Sequence, residues 1–150
     1  MKLSSPDFKN NGIIPSRYTC DGKNISPELH IADTPKGTKV FALIMEDPDV
    51  PKYIRSDGMW DHWVIWNIPA DTAVIPEDTG SVGVRGKNTS GKIGYSGTCP
   101  PDREHRYFFK IFALNTVLGL NEGTTKQELL GAIKSHIIEK AELVARYARQ

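Results

Sequence analysis

Four short stretches carry side chains able to do chemistry. Asp47 and Asp49 bracket a proline in Asp47-Pro48-Asp49-Val50-Pro51, and His62 sits in Trp60-Asp61-His62-Trp63. Cys99 precedes Pro100-Pro101, and His105 and Tyr107 open the run HRYFFKIFAL. An imidazole offers N–H donors, a phenol offers another, and a carboxylate accepts from either, so such a set suits a small anion ringed by donors and held by an orienting acceptor. Read as a strand, HRYFFKIFAL places His105, Tyr107, Phe109, Ile111 and Ala113 on one face and Arg106, Phe108, Lys110 and Phe112 on the other. His105 and Tyr107 therefore point the same way, at a strand start beside the loop SGTCPPD. The same alternation places His62 with Val64 and Trp66, opposite Trp63 and Ile65.

Each feature also has a structural reading. A histidine at a strand start is commonly a hydrogen-bonded structural group, Tyr107 suits a core with its hydroxyl satisfied, and Asp47 before a proline is an ordinary turn former. Trp60, Trp63 and Trp66 suit packing. Two histidines with aspartates also suit a divalent metal, although no HxH or HxxxH spacing occurs and Pro48 constrains the acid, so no metal is expected. Cys99 with His105 suits a nucleophile and its base, as in a hydrolase, but nothing marks an oxyanion hole, and binding without catalysis is the expectation.

The elements that must position these residues are mainly β. Gly, Pro, Asn and Asp punctuate the chain at short intervals, and Lys39 to Met45, Trp63 to Ile68 and Arg106 to Leu114 are rich in Val, Ile, Phe, Trp or Tyr. The first two are nearly all apolar, which predicts cover on both faces at the centre of a packed sandwich. One helix is predicted after the capping-box spacing Thr125 to Glu128, with Leu129, Leu130, Ile133 and Ile137 at helical intervals. Propensity alone continues it through the Ala-, Glu- and Arg-rich segment 140–149.

With 150 residues the chain fits a single domain, and 19 basic against 18 acidic residues provide no long-range field for nucleic acid or an anionic membrane. No run of about 18 apolar residues suggests membrane insertion, and the first residues lack a signal-peptide core, so a cytoplasmic protein is expected. In that compartment two free thiols are the default expectation for Cys20 and Cys99, with a single disulfide between them as the alternative.

The ordered motifs DPDVP, WDHWV, CPP and HRY resemble the phosphatidylethanolamine-binding protein family, also called Raf-kinase-inhibitor-like proteins, and are most similar to its short bacterial branch. RYTCDGKNISPEL, WNIPADT, GKNTSGKIGYSG and TTKQELLGAIKSHIIEKAELVARY extend the resemblance over nearly the whole chain. It implies a β-sandwich of two antiparallel sheets with a few peripheral helices, one of them over about 126–140, followed by a strand at Leu143 to Tyr147. It also implies an anion pocket lined by Asp47, His62, His105, Tyr107 and the Cys99-Pro100-Pro101 loop, with Trp60 as an aromatic wall. In that pocket His105 and Tyr107 are expected to donate to phosphate, His62 to be a second donor and Asp47 to orient an imidazole. The implied partners are a small phosphorylated ligand or phospholipid headgroup, and in a second reading a kinase or protease inhibited through surface contacts. No cofactor is implied, and a homodimer is compatible. His30, Glu28, Thr89-Ser90 and Thr98 depart from the branch pattern, which bears on the pocket wall and leaves the five pocket residues in place.

Overall fold

The structure, a computed structural model, describes residues 1–80 and 82–150. Its centre is β4 (Val40–Asp47), flanked by β5 (Trp60–Pro69) and β8 (His105–Leu114), all antiparallel. Every residue of β4 is buried, the apolar run through Met45 as predicted and the charged Glu46 and Asp47 as well. The sheet continues through β9 (Ile137–Tyr147) to β2 (Gly12–Ile13) on one side and ends at β7 (Val84–Arg85) on the other. A smaller antiparallel sheet of β1 (Lys2–Ser4), β3 (Leu29–Ala32) and β6 (Val74–Ile75) forms the second layer.

Both faces of the large sheet are covered. On one, Leu43, Met45, Phe109 and Ile111 pack with Leu3, Leu29, Ile31 and Ile75 of the small sheet. On the other, Ala42, Ile44, Val64 and Trp66 pack with Leu129 and Ile133 of α1 (Lys126–Ile133). The predicted sandwich is therefore present, with one correction: the β2 to β9 pairing is parallel, so the large sheet is mixed.

The helix begins where predicted. The Thr125 hydroxyl accepts from the Glu128 amide, and the Glu128 carboxylate accepts from the Thr125 amide. Its end differs: α1 stops at Ile133, and β9 starts at Ile137 instead of Leu143. The reason is the ladder, which pairs β9 with β8 from Ile137 opposite Leu114 to Tyr147 opposite His105. Burying Leu143, Ala145 and Tyr147 between the sheets outweighs local helix propensity.

Two bulges interrupt the β4 to β5 pairing. At the first, Asn67 adopts φ 55° and its amide both donates to the Leu118 carbonyl at 2.8 Å and accepts from the Leu118 N–H at 2.9 Å. The second lies at His62 and decides the geometry of the site.

Candidate functional site

The acids that end β4 are tied to the residues that begin β8. Asp47 accepts the Asp49 amide at 2.7 Å, closing the turn around Pro48, and its second oxygen accepts from His105 Nδ1 at 2.6 Å. Asp49 accepts from the Arg106 backbone N–H at 2.9 Å and from its guanidinium at 3.0 and 2.8 Å. The DPD turn thus caps itself and fixes the direction of the His105-Arg106 pair. Burial pushes the Asp47 carboxyl above its usual range, whereas the Arg106 guanidinium holds Asp49 below it.

His105 has a second carboxylate partner. Its Nε2 lies 2.6 Å from Oδ1 of Asp102, three residues earlier in the loop. A neutral imidazole carries one N–H, so a ring meeting two carboxylates requires one further proton within the Asp47, His105, Asp102 chain. Partial burial raises the Asp102 pKa, but the His105 bond and nearby Arg103 more than offset it, leaving the carboxyl below its usual range.

His62 faces the opposite side from the one alternation predicts. Met45 pairs with Trp63 but Glu46 pairs with Asp61, so His62 is the extra residue of a bulge. His62 and Trp63 consequently both face the inter-sheet side, and the His62 ring meets the Tyr107 ring edge-on at 5.4 Å. His62 Nδ1 donates to the Ser96 carbonyl at 2.7 Å. Burial lowers the His62 pKa to about 4, so at neutral pH the ring is uncharged and Nε2 is an acceptor. The expected second donor is, in this state, an acceptor.

This shift has a sign for stability. As pH falls below 6.5 the unfolded imidazole takes a proton that the folded ring refuses until about 4, so stability is lost as pH falls through that window. The loss is on the order of 3 kcal/mol at its full extent. Urea unfolding at pH 7 and pH 4.5 is expected to show a smaller acid-induced loss in His62→Gln than in the parent. An equal loss in both would contradict the assignment.

These groups surround a cavity of about 270 Å³. Asp47, Trp60, His62, Cys99, Pro100, Pro101, His105 and Tyr107, the eight residues singled out from sequence, all line it. Sequence reasoning missed Val50, Ile54, Ser96 and Gly97, which complete the wall. The Gly- and Pro-rich loop was the one sequence signal for Gly97, and the structure shows why glycine is needed there: a Cβ would collide with Asn24 Oδ1 and the Tyr18 carbonyl oxygen. The Tyr107 hydroxyl is fully buried and has no hydrogen-bond partner among the described residues, and burial raises its pKa. It remains a donor at physiological pH.

The loop bearing Cys99 is anchored at its base. Cys20 and Cys99 form a disulfide with Cα atoms 5.4 Å apart, which corrects the expectation of two free thiols. An isolated parallel bridge between Thr19 and Thr98 brings the two backbones together, and the Cys20 amide donates to the Thr98 carbonyl at 3.1 Å. With its sulfur bonded, Cys99 offers no thiol nucleophile to His105 in this form. Among the described residues no group of three His, Cys, Asp or Glu side chains is placed to hold a metal ion. No helix among them is long and apolar enough to cross a membrane.

Residues 4–148 match the profile described as phosphatidylethanolamine-binding protein. The chain is 48% identical to a UPF0098 protein of Chlamydia pneumoniae over 149 residues, covering 99% of each chain. It is 44% identical to one from Methanothermobacter thermautotrophicus, again over 99% of each. Among solved structures, a phosphatidylethanolamine-binding protein homologue from Chlamydia trachomatis superposes with a TM-score of 0.97 at 44% identity, covering 99% of this chain and 97% of that one. Escherichia coli YbcL, described as a member of the mammalian PEBP family, gives 0.89 at 30% identity, covering 99% and 98%.

Proposed function

Because the chain belongs to the phosphatidylethanolamine-binding protein family, we propose that its cavity binds a small phosphorylated ligand, specifically a phosphate monoester in its monoanionic form. The observation that carries this reading is the unpartnered Tyr107 hydroxyl beside the uncharged His62 ring. A buried hydroxyl without a partner costs free energy that an acceptor entering the cavity returns. A monoanionic monoester supplies that acceptor in a P–O⁻ oxygen and, through its P–OH, a donor for His62 Nε2. Trp60, Val50 and the two prolines give apolar walls for the rest of the molecule, the usual balance of a small-ligand site. We take the site as one of binding and not turnover.

A phospholipid headgroup is a phosphodiester and lacks the P–OH, so phosphoethanolamine and glycerophosphoethanolamine separate a free monoester from a lipid-derived ligand. Titration calorimetry with both tests the assignment. Tyr107→Phe is expected to keep or slightly raise thermal stability while weakening phosphoethanolamine about 10- to 150-fold, the loss of one hydrogen bond to a charged group. Unchanged affinity in this variant would remove the central observation.

Proton linkage gives a second expectation. A monoester loses its second proton near pH ~6, so affinity is expected to fall about tenfold per pH unit above that, with proton uptake on binding. Calorimetry in buffers of different ionisation enthalpy measures the uptake directly. A flat profile without uptake would contradict monoanion recognition. The expected cytoplasmic location stands against the Cys20–Cys99 bond, since disulfides persist mainly in oxidising compartments, and a thiol count on protein taken directly from cells distinguishes the two.

A further inference from the structure

The anion reading implicates His105 Nε2–H as the strongest donor near the cavity, yet that donor is occupied. Asp102 Oδ1 lies 2.6 Å from it. The occupant is less deeply fixed than its partner: the Asp102 side chain is 32% exposed, whereas His105 is fully buried and Asp47 is 4% exposed. One carboxylate is thus built into the strand end, and the other arrives from a loop.

The loop has the mechanics of an arm. Its base is held by the Cys20–Cys99 disulfide, by the Thr19 to Thr98 bridge and by the Gly97 amide donating to Asn24 Oδ1 at 2.7 Å. Pro100 and Pro101 follow, each with a fixed φ, and line the cavity. Asp102 comes next, on the outer side. There a separate depression of about 150 Å³ is lined by Asp102 itself, the two prolines, Arg103, Ala148 and Arg149. Arg103 Nε is already 3.8 Å from Asp102 Oδ2, and Arg149 is bonded to Asp21 at 3.1 Å with a half-exposed side chain. The carboxylate therefore has two electrostatically suitable positions, one on His105 and one toward the arginines.

We propose that Asp102 is an internal competitor for the anion site: its carboxylate occupies His105 Nε2–H until the phosphate of the ligand displaces it outward into the Arg103 and Arg149 depression. The inference rests on the phosphate reading given above. Displacement exchanges one charge-assisted hydrogen bond on His105 for another, so the ligand need not desolvate the ring again. Asp102 moves to a wetter position beside cationic groups. The contact sets a threshold, because only an anion able to replace a carboxylate on an imidazole N–H gains the full site, and neutral or cationic molecules of the same size do not. Apparent affinity is reduced by the fraction of molecules in which Asp102 holds His105.

The test is the affinity of the intact protein for inorganic phosphate and for phosphoethanolamine, measured by calorimetry at pH 6 in the parent, Asp102→Ala and Asp102→Asn. Both variants are expected to bind tighter, Asp102→Ala by about tenfold or more. Asp102→Asn covers the case in which the alanine variant folds poorly. Arg103→Ala is expected to weaken binding in the parent and to have no further effect in the Asp102→Ala background, which separates stabilisation of the displaced carboxylate from direct attraction of phosphate. Carbon-13 NMR of the Asp102 carboxylate adds a structural readout: its resonance is expected to shift on saturation with phosphate. Binding by the parent with equal or weaker binding by both Asp102 variants would overturn the competitor role and leave the phosphate site standing. Absence of binding in the parent and in both variants would overturn the phosphate site, and the competitor role with it.

Discussion

Replacement of His105 by alanine is expected to destabilise the protein by about 3–5 kcal/mol, because it leaves a buried carboxyl without its imidazole partner. The ring is fully buried between Asp47 and Asp102, and once it is gone the Asp49 amide is the remaining hydrogen-bond partner of Asp47 among the described residues. A buried carboxylate with half its partners lost must take up a proton or reorganise. Urea unfolding of His105→Ala at pH 7 measures the loss, and Asp47→Asn in the same chain is expected to recover a substantial part of it by removing the stranded charge. A loss below about 1 kcal/mol, the range of an exposed pair, would mean that the cluster is solvated and contributes little. This expectation also means that weak ligand binding by His105→Ala reports on folding as much as on recognition. Tyr107→Phe is the cleaner probe, because its hydroxyl makes no hydrogen bond among the described residues.

Opening the Cys20–Cys99 bond is expected to have an effect of similar size. The two cysteines are separated by 79 positions, and a closed loop of that length restricts the unfolded chain by about 4.5 kcal/mol on the chain-entropy account. Cys99→Ser, or the parent under reductant, should therefore unfold at markedly lower urea than the untreated parent. The bond also holds the base of the Pro100-Pro101 arm, so the same treatment is expected to weaken phosphoethanolamine binding through a looser cavity wall. Coincident unfolding curves with and without reductant, together with two titratable thiols in untreated protein, would contradict the bond.

The parts of this fold legible in the sequence were those governed by local pattern. Apolar runs located β4, β5 and β8, alternation along β8 correctly put His105 and Tyr107 on one face, and the Thr125 to Glu128 spacing located the start of α1. The eight pocket residues were identified with the help of family resemblance, and the structure places all of them around one cavity. What local pattern missed was set by tertiary pairing. One extra residue at the bulge turns His62 to the face opposite its expected one, because a period-2 argument inverts with every insertion. Ala141, Leu143, Ala145 and Tyr147 did alternate, but their segment is also rich in helix formers, and only the ladder to β8 decides between the two. Asp102 reads in sequence as an ordinary acid after a Pro-Pro turn, and its bond to His105 depends on how the loop closes over the strand end. The cysteine pair likewise has no spacing signal, since the bridge between Thr19 and Thr98 that brings the two together is a tertiary feature.

The most direct test of the phosphate site is an NMR titration of the histidine rings with phosphoethanolamine at pH 6. His62 and His105 line the cavity, whereas His30 of β3 pairs with Glu28, and His136, after α1, pairs with Asn115. The His62 and His105 ring signals are expected to shift together with one saturable dissociation constant while those of His30 and His136 stay in place. Saturating ligand that leaves His62 and His105 unmoved would contradict it.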